Sequence, residues 1–185
     1  MKYFRLATIL LVSAFAIGAL SAPNPAAAAS AAEIDRDVKK ALEDLYAKFP
    51  SAKMMGEKAA GILVFPSIVK GGFIIGGQYG EGALIKDGKT VAYYSTIAAS
   101  YGLQAGLQKY GYALFFMNDS ALKWLNKSDG WEIGVGPSIV VMDEGTATSM
   151  TSTTLQSEIY AFFFDQTGLM GGLGLQGTKI TRLDK

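Results

Sequence analysis

The stretch Phe73-Ile74-Ile75-Gly76-Gly77-Gln78-Tyr79-Gly80-Glu81-Gly82-Ala83-Leu84-Ile85 leads through Asp87-Gly88 into Thr90-Val91-Ala92-Tyr93-Tyr94, and it decides the architecture. Aromatic and aliphatic residues alternate there with Gly76, Gly80 and Gly82, a strand pattern interrupted at points where bends or close backbone approach are expected. Asp-Gly between two such runs is a strong short-range hairpin signal, because both turn positions need a left-handed backbone. Upstream, Ile62-Leu63-Val64-Phe65 reads as a buried strand stopped by Pro66. Downstream, Gly102 to Gln108 and Tyr110 to Met117 read as a strand pair joined near Lys109. Further strands are expected around Glu132 to Val135, Ser138 to Met142, Ala147 to Thr151, Leu155 to Asp165 and Leu169 to Leu183. The fold class is therefore α+β, a strongly curved, glycine-rich antiparallel sheet or partial barrel, with N-terminal helices and one short inserted helix.

The helical part precedes the sheet. Ser30-Ala31-Ala32-Glu33 is a capping box, and Ile34, Val38, Ala41, Leu42, Leu45 and Phe49 follow at helical spacing, predicting an amphipathic helix over about 31–49. Pro50 breaks it, and Ser51 is placed to cap a second short helix through Ala60. The inserted helix is expected over Ser120 to Asn126, capped by Asn118 or Asp119. Phe162 and Phe164 point to one face of a strand and Phe163 to the other, so both faces need a cover. That cover is either a helix or a ligand.

Before all this stand a basic start with Lys2 and Arg5, an apolar run from Leu6 to Leu20, and small residues through Ala32. This is the layout of a secretory signal peptide, with Ala27-Ala28-Ala29 as the cleavage site. The alternative is a membrane anchor, but the run is about 15 residues where about 20 are needed to span a bilayer. The expected organisation is a signal peptide at 1–29, an amphipathic helix at 30–50 and one domain at 51–185, in a periplasmic or secreted protein. Without a cysteine after the signal, a lipid-anchored lipoprotein is not expected.

Composition narrows the chemistry. The 185 residues contain neither His nor Cys, which removes the neutral-pH acid/base group, thiolate nucleophiles, and the nitrogen and sulfur ligands of zinc, copper or iron–sulfur sites. No catalytic, metal or cofactor site is expected, and the chain is not read as an enzyme. Removing Lys2 and Arg5 from the 17 basic residues leaves 15 against 16 acidic ones, a net charge of −1. Nucleic-acid binding needs a basic excess that is missing here. Gly172-Leu173-Gly174-Leu175-Gln176-Gly177 spells a dinucleotide fingerprint, but the residues after it alternate like a strand where that motif needs a helix. Asp143-Glu144 before Gly145 reads as a turn rather than a catalytic pair, and Ser95, Ser100 and Ser138 lack a nucleophile-elbow context.

The remaining chemistry lies with lysines beside apolar strands. Lys53, Lys58 and Lys70 flank Ile62 to Phe65, with Phe65, Ile68, Val69 and Phe73 nearby in sequence. Cationic heads beside an apolar surface suit an anionic phospholipid, while the bland reading is a solvated rim around a core strand. The first helix carries mixed charges on its polar face, unlike a helix built for a membrane surface.

Lys58-Ala59-Ala60-Gly61-Ile62-Leu63-Val64-Phe65-Pro66, Lys70-Gly71-Gly72-Phe73 and Gly76-Gly77-Gln78-Tyr79-Gly80-Glu81-Gly82 together resemble the opening half of the SYLF domain. Gly102-Leu103-Gln104-Ala105-Gly106, Phe116-Met117, Ala121-Leu122, Gly130-Trp131, Gly168-Leu169-Met170 and Gly177-Thr178-Lys179-Ile180-Thr181 continue the match in order, over roughly 51–183. The resemblance implies a lipid-binding module. Eukaryotic members bind phosphoinositides through basic residues of an N-terminal amphipathic region, and fungal ones also bind actin; bacterial members are secreted or envelope proteins. The positions it carries over are Lys58 and Lys70, with Lys53 just before them. Phe65 and Phe73 are the apolar candidates. With an export signal and no Src-homology-3 domain in the sequence, actin is not an expected partner. The expected partner is anionic phospholipid or a membrane surface, and the alternative is an envelope protein bound by a structural or interaction module.

Overall fold

A computed structural model describes residues 28–72, 75–101, 106–142, 156–168 and 175–185. The expected signal segment falls outside them except for Ala28 and Ala29, and so do Phe73, Asp143-Glu144, the strand expected at 147–151 and the first half of the glycine fingerprint.

Helix α1 (Ala31–Lys48) starts on the predicted capping box: the Ser30 hydroxyl accepts from the Glu33 N–H, and the Ser30 N–H donates to the Glu33 carboxylate at 2.8 Å. Its buried stripe is Ile34, Val38, Ala41 and Leu45. Helix α2 (Pro50–Gly56) is shorter than expected, and Ser51 does not cap it. Pro50 occupies the first turn, where a missing N–H costs nothing, Phe49 is the cap residue, and the Ser51 hydroxyl is buried without a partner.

The described strands are β1 (Gly61–Gly72), β2 (Ile75–Lys86), β3 (Lys89–Tyr101), β4 (Gly106–Phe116), β5 (Trp131–Glu132), β6 (Ile139–Met142), β7 (Ile159–Gly168) and β8 (Lys179–Leu183). They form one strongly curled half-barrel sheet in the order β5-β8-β3-β2-β1-β4-β7-β6. Helix α3 (Asp119–Leu122), capped by the Asn118 side chain and continued by a 3-10 turn over Lys123–Asn126, is the expected inserted helix. Asp87 and Gly88 both have positive φ, at 51° and 72°, as the hairpin between β2 and β3 requires.

Four expectations are corrected. Pro66 does not stop β1: the strand continues through a bulge between Val64 and Ser67, where proline's missing N–H interrupts no ladder bond. Lys109 is not a turn, because β4 is one strand in which Lys109 sits opposite Val69. The pairing of β4 with β7 shifts register between Lys109 and Gly111, the extra residue lying on β7, and at Gly111 the Phe164 ring occupies the space of a side chain. The strand expected over Glu132 to Val135 shrinks to Trp131–Glu132, since Gly134 and Gly136 turn the chain with φ of 110° and 103°. The sheet is not purely antiparallel, for β6 runs parallel to β7, and the intervening 143–158 is long enough for the crossover this demands.

Two cores result. On the outer face, α1 and α2 cover Ile62, Val64, Ala83, Ala113, Phe115, Phe162 and Phe164. On the inner face Leu63, Phe65, Tyr112, Leu114, Phe116, Trp131 and Ile180 pack together, with Phe163 against them. The alternation expected of Phe162-Phe163-Phe164 therefore holds, and a helix supplies the outer cover.

Candidate functional site

Helix α1 determines which part of the sheet stays open. Its start is fastened above the middle of β2: Lys185 Nζ pairs with Glu81 Oε2 at 2.8 Å and also donates to the Ala29 carbonyl. Its later residues Leu42 and Tyr46 lie over Ile85, Gly88 and Lys89, and Asp35 accepts from Thr90 at 2.8 Å and from Tyr93. Thus α1 runs from Glu81 toward the Asp87-Gly88 turn, and among the described residues no helix covers the other end of the strands.

Strand register defines that open end. Val69 of β1 lies opposite Tyr79 of β2, Tyr79 opposite Ile97 of β3, and Ile97 opposite Lys179 of β8. In the other direction Val69 lies opposite Lys109 of β4, and Lys109 opposite Thr167 of β7. Directly opposed residues share a face, so one transverse row reads Lys179, Ile97, Tyr79, Val69, Lys109, Thr167. Val69, Tyr79 and Ile97 are 48%, 49% and 51% exposed, and Leu107, two residues before Lys109, is 68% exposed. An apolar centre is thus bracketed by two exposed lysines; Glu132 of β5 stands beyond Lys179.

The polar groups here are fixed by their neighbours. Tyr79 donates its hydroxyl to Glu81 Oε1 at 2.7 Å, and burial together with that bond pushes its pKa up to about 12. Burial alone would raise the Glu81 pKa. The bonds from Lys185 and Tyr79, with the Lys185 charge and a backbone N–H, outweigh it and hold the carboxyl below its ordinary value. Glu81 is therefore a neutralised carboxylate beside the apolar row.

The lysines named from sequence do not gather. Lys53 and Lys58 are exposed on and just after α2, at the start of β1, whereas Lys70 is near its end, roughly 30 Å away at strand rise. Lys70 also faces inward, in register with Gln78 and Gln108. That inner layer is polar: Tyr110 donates to Gln78 Oε1 at 2.7 Å, Gln78 donates to the Thr178 hydroxyl at 3.4 Å, and both amide atoms of Gln108 are buried without a partner. Phe65 is completely buried against Tyr112, their ring centres 5.0 Å apart, and presents no surface to a lipid. Phe73 lies outside the described residues.

Sequence reasoning named Val69 among the apolar neighbours of its lysines but missed Lys109, Lys179, Tyr79, Ile97 and Leu107. The signal for two of them was legible: Leu107 and Lys109 alternate with Gln108 and Tyr110 once β4 is read as a single strand. The rest depended on strand register. Among the described residues no group of carboxylates is gathered to hold a metal, and no helix is long and apolar enough to cross a membrane.

No curated protein matches the chain. Residues 97–185 match the Ysc84 family model, described as Las17-binding protein actin regulator. The matched segment begins at Ile97 and contains four of the six residues of the row, Ile97, Lys109, Thr167 and Lys179, together with Leu107. The match agrees with the ordered motifs that resemble the SYLF domain, whose family is one of binding domains. From Ile97 in β3 through β8 and the C-terminal residues, the chain matches the Ysc84 model and is consistent with a SYLF-domain family.

Proposed function

We propose that this protein is a non-enzymatic binding module that meets anionic phospholipid through the open end of its outer sheet face. The observation that carries the reading is the row Lys179, Ile97, Tyr79, Val69, Lys109, in which half-exposed apolar side chains lie between two cations. An anionic bilayer offers the complement, phosphates for the lysines and an acyl boundary for the apolar centre. Completing the burial of a half-covered aliphatic side chain contributes about 1 kcal/mol, half of the value for a whole one. A few such residues give weak, reversible association. The export signal expected of residues 1–29 supports an envelope location for that membrane.

The test is co-sedimentation of the full chain with phosphatidylglycerol vesicles, with phosphatidylcholine vesicles as control. Wild type should sediment with the anionic vesicles and release as salt rises. The Lys109→Glu/Lys179→Glu variant should bind at least tenfold more weakly while unfolding at the same temperature. Undiminished binding by that variant overturns this reading. The rival reading, a protein-interaction module, draws on the same exposed apolar row; an apolar protein interface would hold nearly constant across the salt series.

A further inference from the structure

The open face is not flat. Val69, Tyr79, Ile97 and Leu107 stand around a cleft of about 520 Å³ whose floor is made by Gly71 and Gly77. A second cleft, of about 340 Å³, lies under the start of α1 against Ile34 and Pro66 and shares Val69 and Tyr79 with the first.

The floor glycines differ from the others in the sheet. A Cβ on Gly82 would stand 2.1 Å from the Val64 carbonyl oxygen, and one on Gly80 would stand 2.7 Å from that of Ser67, so packing at the β1 bulge demands glycine at both. Among the described residues a Cβ on Gly77 would meet the Ala98 carbonyl oxygen at 3.7 Å, an ordinary contact, and one on Gly71 would meet the Leu107 side chain at 3.4 Å. Neither residue has positive φ. Both lie in central strands, where glycine weakens the sheet and a side chain would be favourable. Contacts with the described residues do not demand glycine at these two places; what its absence of a side chain preserves is an open apolar floor.

The floor has a direction. Leu107, Gly71, Gly77 and Ala99 are successive register partners on β4, β1, β2 and β3. Leu107 leans over Gly71 and closes one end. The other end passes Ala99 toward Ile97, two residues along β3, whose partner on β8 is Lys179. Four inter-strand spacings separate β4 from β8, roughly 19 Å, a span suited to one extended long acyl chain.

We propose that this cleft binds a single-chain anionic amphiphile of the fatty-acid type as a monomer, its chain on the Gly71–Gly77 floor and its acidic head at Lys179. The inference rests on the reading that this face meets lipid and goes beyond it by naming a molecule held one at a time. Charge complementarity selects the acid: the open end carries a cation, and among the described residues around the cleft the Tyr79 hydroxyl is already donated to Glu81 and the Gln78 amide is bonded to Tyr110 and Thr178.

The test is calorimetric titration of the full chain with palmitate below its aggregation limit, beside vesicle co-sedimentation. Wild type should show saturable binding near one equivalent, with hexadecanol binding at least tenfold more weakly. Gly77→Val fills the floor and should weaken palmitate at least tenfold, while its thermal unfolding is unchanged or raised and its sedimentation with phosphatidylglycerol vesicles is kept. Lys179→Glu should weaken palmitate but not hexadecanol. Palmitate binding undiminished in folded Gly77→Val overturns the proposal, as does the absence of saturable binding in wild type. If Gly77→Val fails to fold, the claim that this glycine has no folding role is refuted and the proposal falls with it. Vesicle binding without palmitate binding removes this inference alone, and loss of both in wild type removes the membrane reading as well.

Discussion

The same three strands, β2, β1 and β4, end in two different ways. Toward the Asp87-Gly88 turn, Ala83, Val64 and Ala113 stand in one row under α1 and α2 and are completely buried. Toward the opposite end, Tyr79, Val69 and Lys109 stand in an equivalent row and face outward, the first two half exposed. The residue types differ less than the surroundings. What separates them is the point at which α1 begins, set by the Ser30 capping box and by the Lys185–Glu81 pair that fastens the helix start. One end is built to fold, and the other is left with surface to use.

The largest contrast between the ends should appear in stability. Phe162 packs on Phe49 and Phe115, with ring centres 5.9 and 5.4 Å away, and Phe162→Ala should cost about 3–5 kcal/mol in chemical denaturation. An equal midpoint for wild type and variant would mean that the helix-covered end is not the core described. Next in size is Gly82→Ala, which forces a methyl into the Val64 carbonyl and should cost about 1–3 kcal/mol, against no loss for Gly77→Ala. Similar costs at both positions would erase the distinction between packing glycines and floor glycines.

A smaller effect should follow pH. The folded-state pKa of Glu81 is lowered, so the stability from its partners is present above the ordinary carboxylate value of about 4.3 and is lost as pH falls through the lowered one. Lys185→Ala should therefore lower stability at neutral pH and flatten the acid limb of the unfolding curve. A parallel acid limb in the variant would show that the latch on α1 is not this pair. The smallest stability effect is expected from Ile97→Ser at the open end, within about 0.5 kcal/mol, while its binding to anionic vesicles should fall several-fold.

Much of the fold was legible because it rests on local rules. The Ser30-to-Glu33 box, the helical spacing from Ile34 to Leu45 and the Asp87-Gly88 turn each act through near neighbours, and each stands where the sequence places it. Pro66 and Lys109 misled for a shared reason: a bulge lets a central strand carry proline, and a strand facing solvent can carry lysine in its middle, so neither residue marks an end. The candidate site was less legible still. Proximity in sequence placed Lys58 and Lys70 together, but Lys58 precedes β1 and Lys70 lies near the far end of that strand, turned inward.

By itself, then, the sequence determined an α+β chain without thiol or imidazole chemistry, led by an amphipathic helix and dominated by a glycine-rich curved sheet, because composition, periodicity and turn chemistry depend on neighbours along the chain. Only the tertiary structure decided which lysines flank an apolar surface and which glycines leave a floor open. Lys109 and Lys179 are 70 residues apart, and strand register brings both into one row with Val69, Tyr79 and Ile97. The pleat then decides the face, since a shift of one residue turns each side chain to the other side of the sheet.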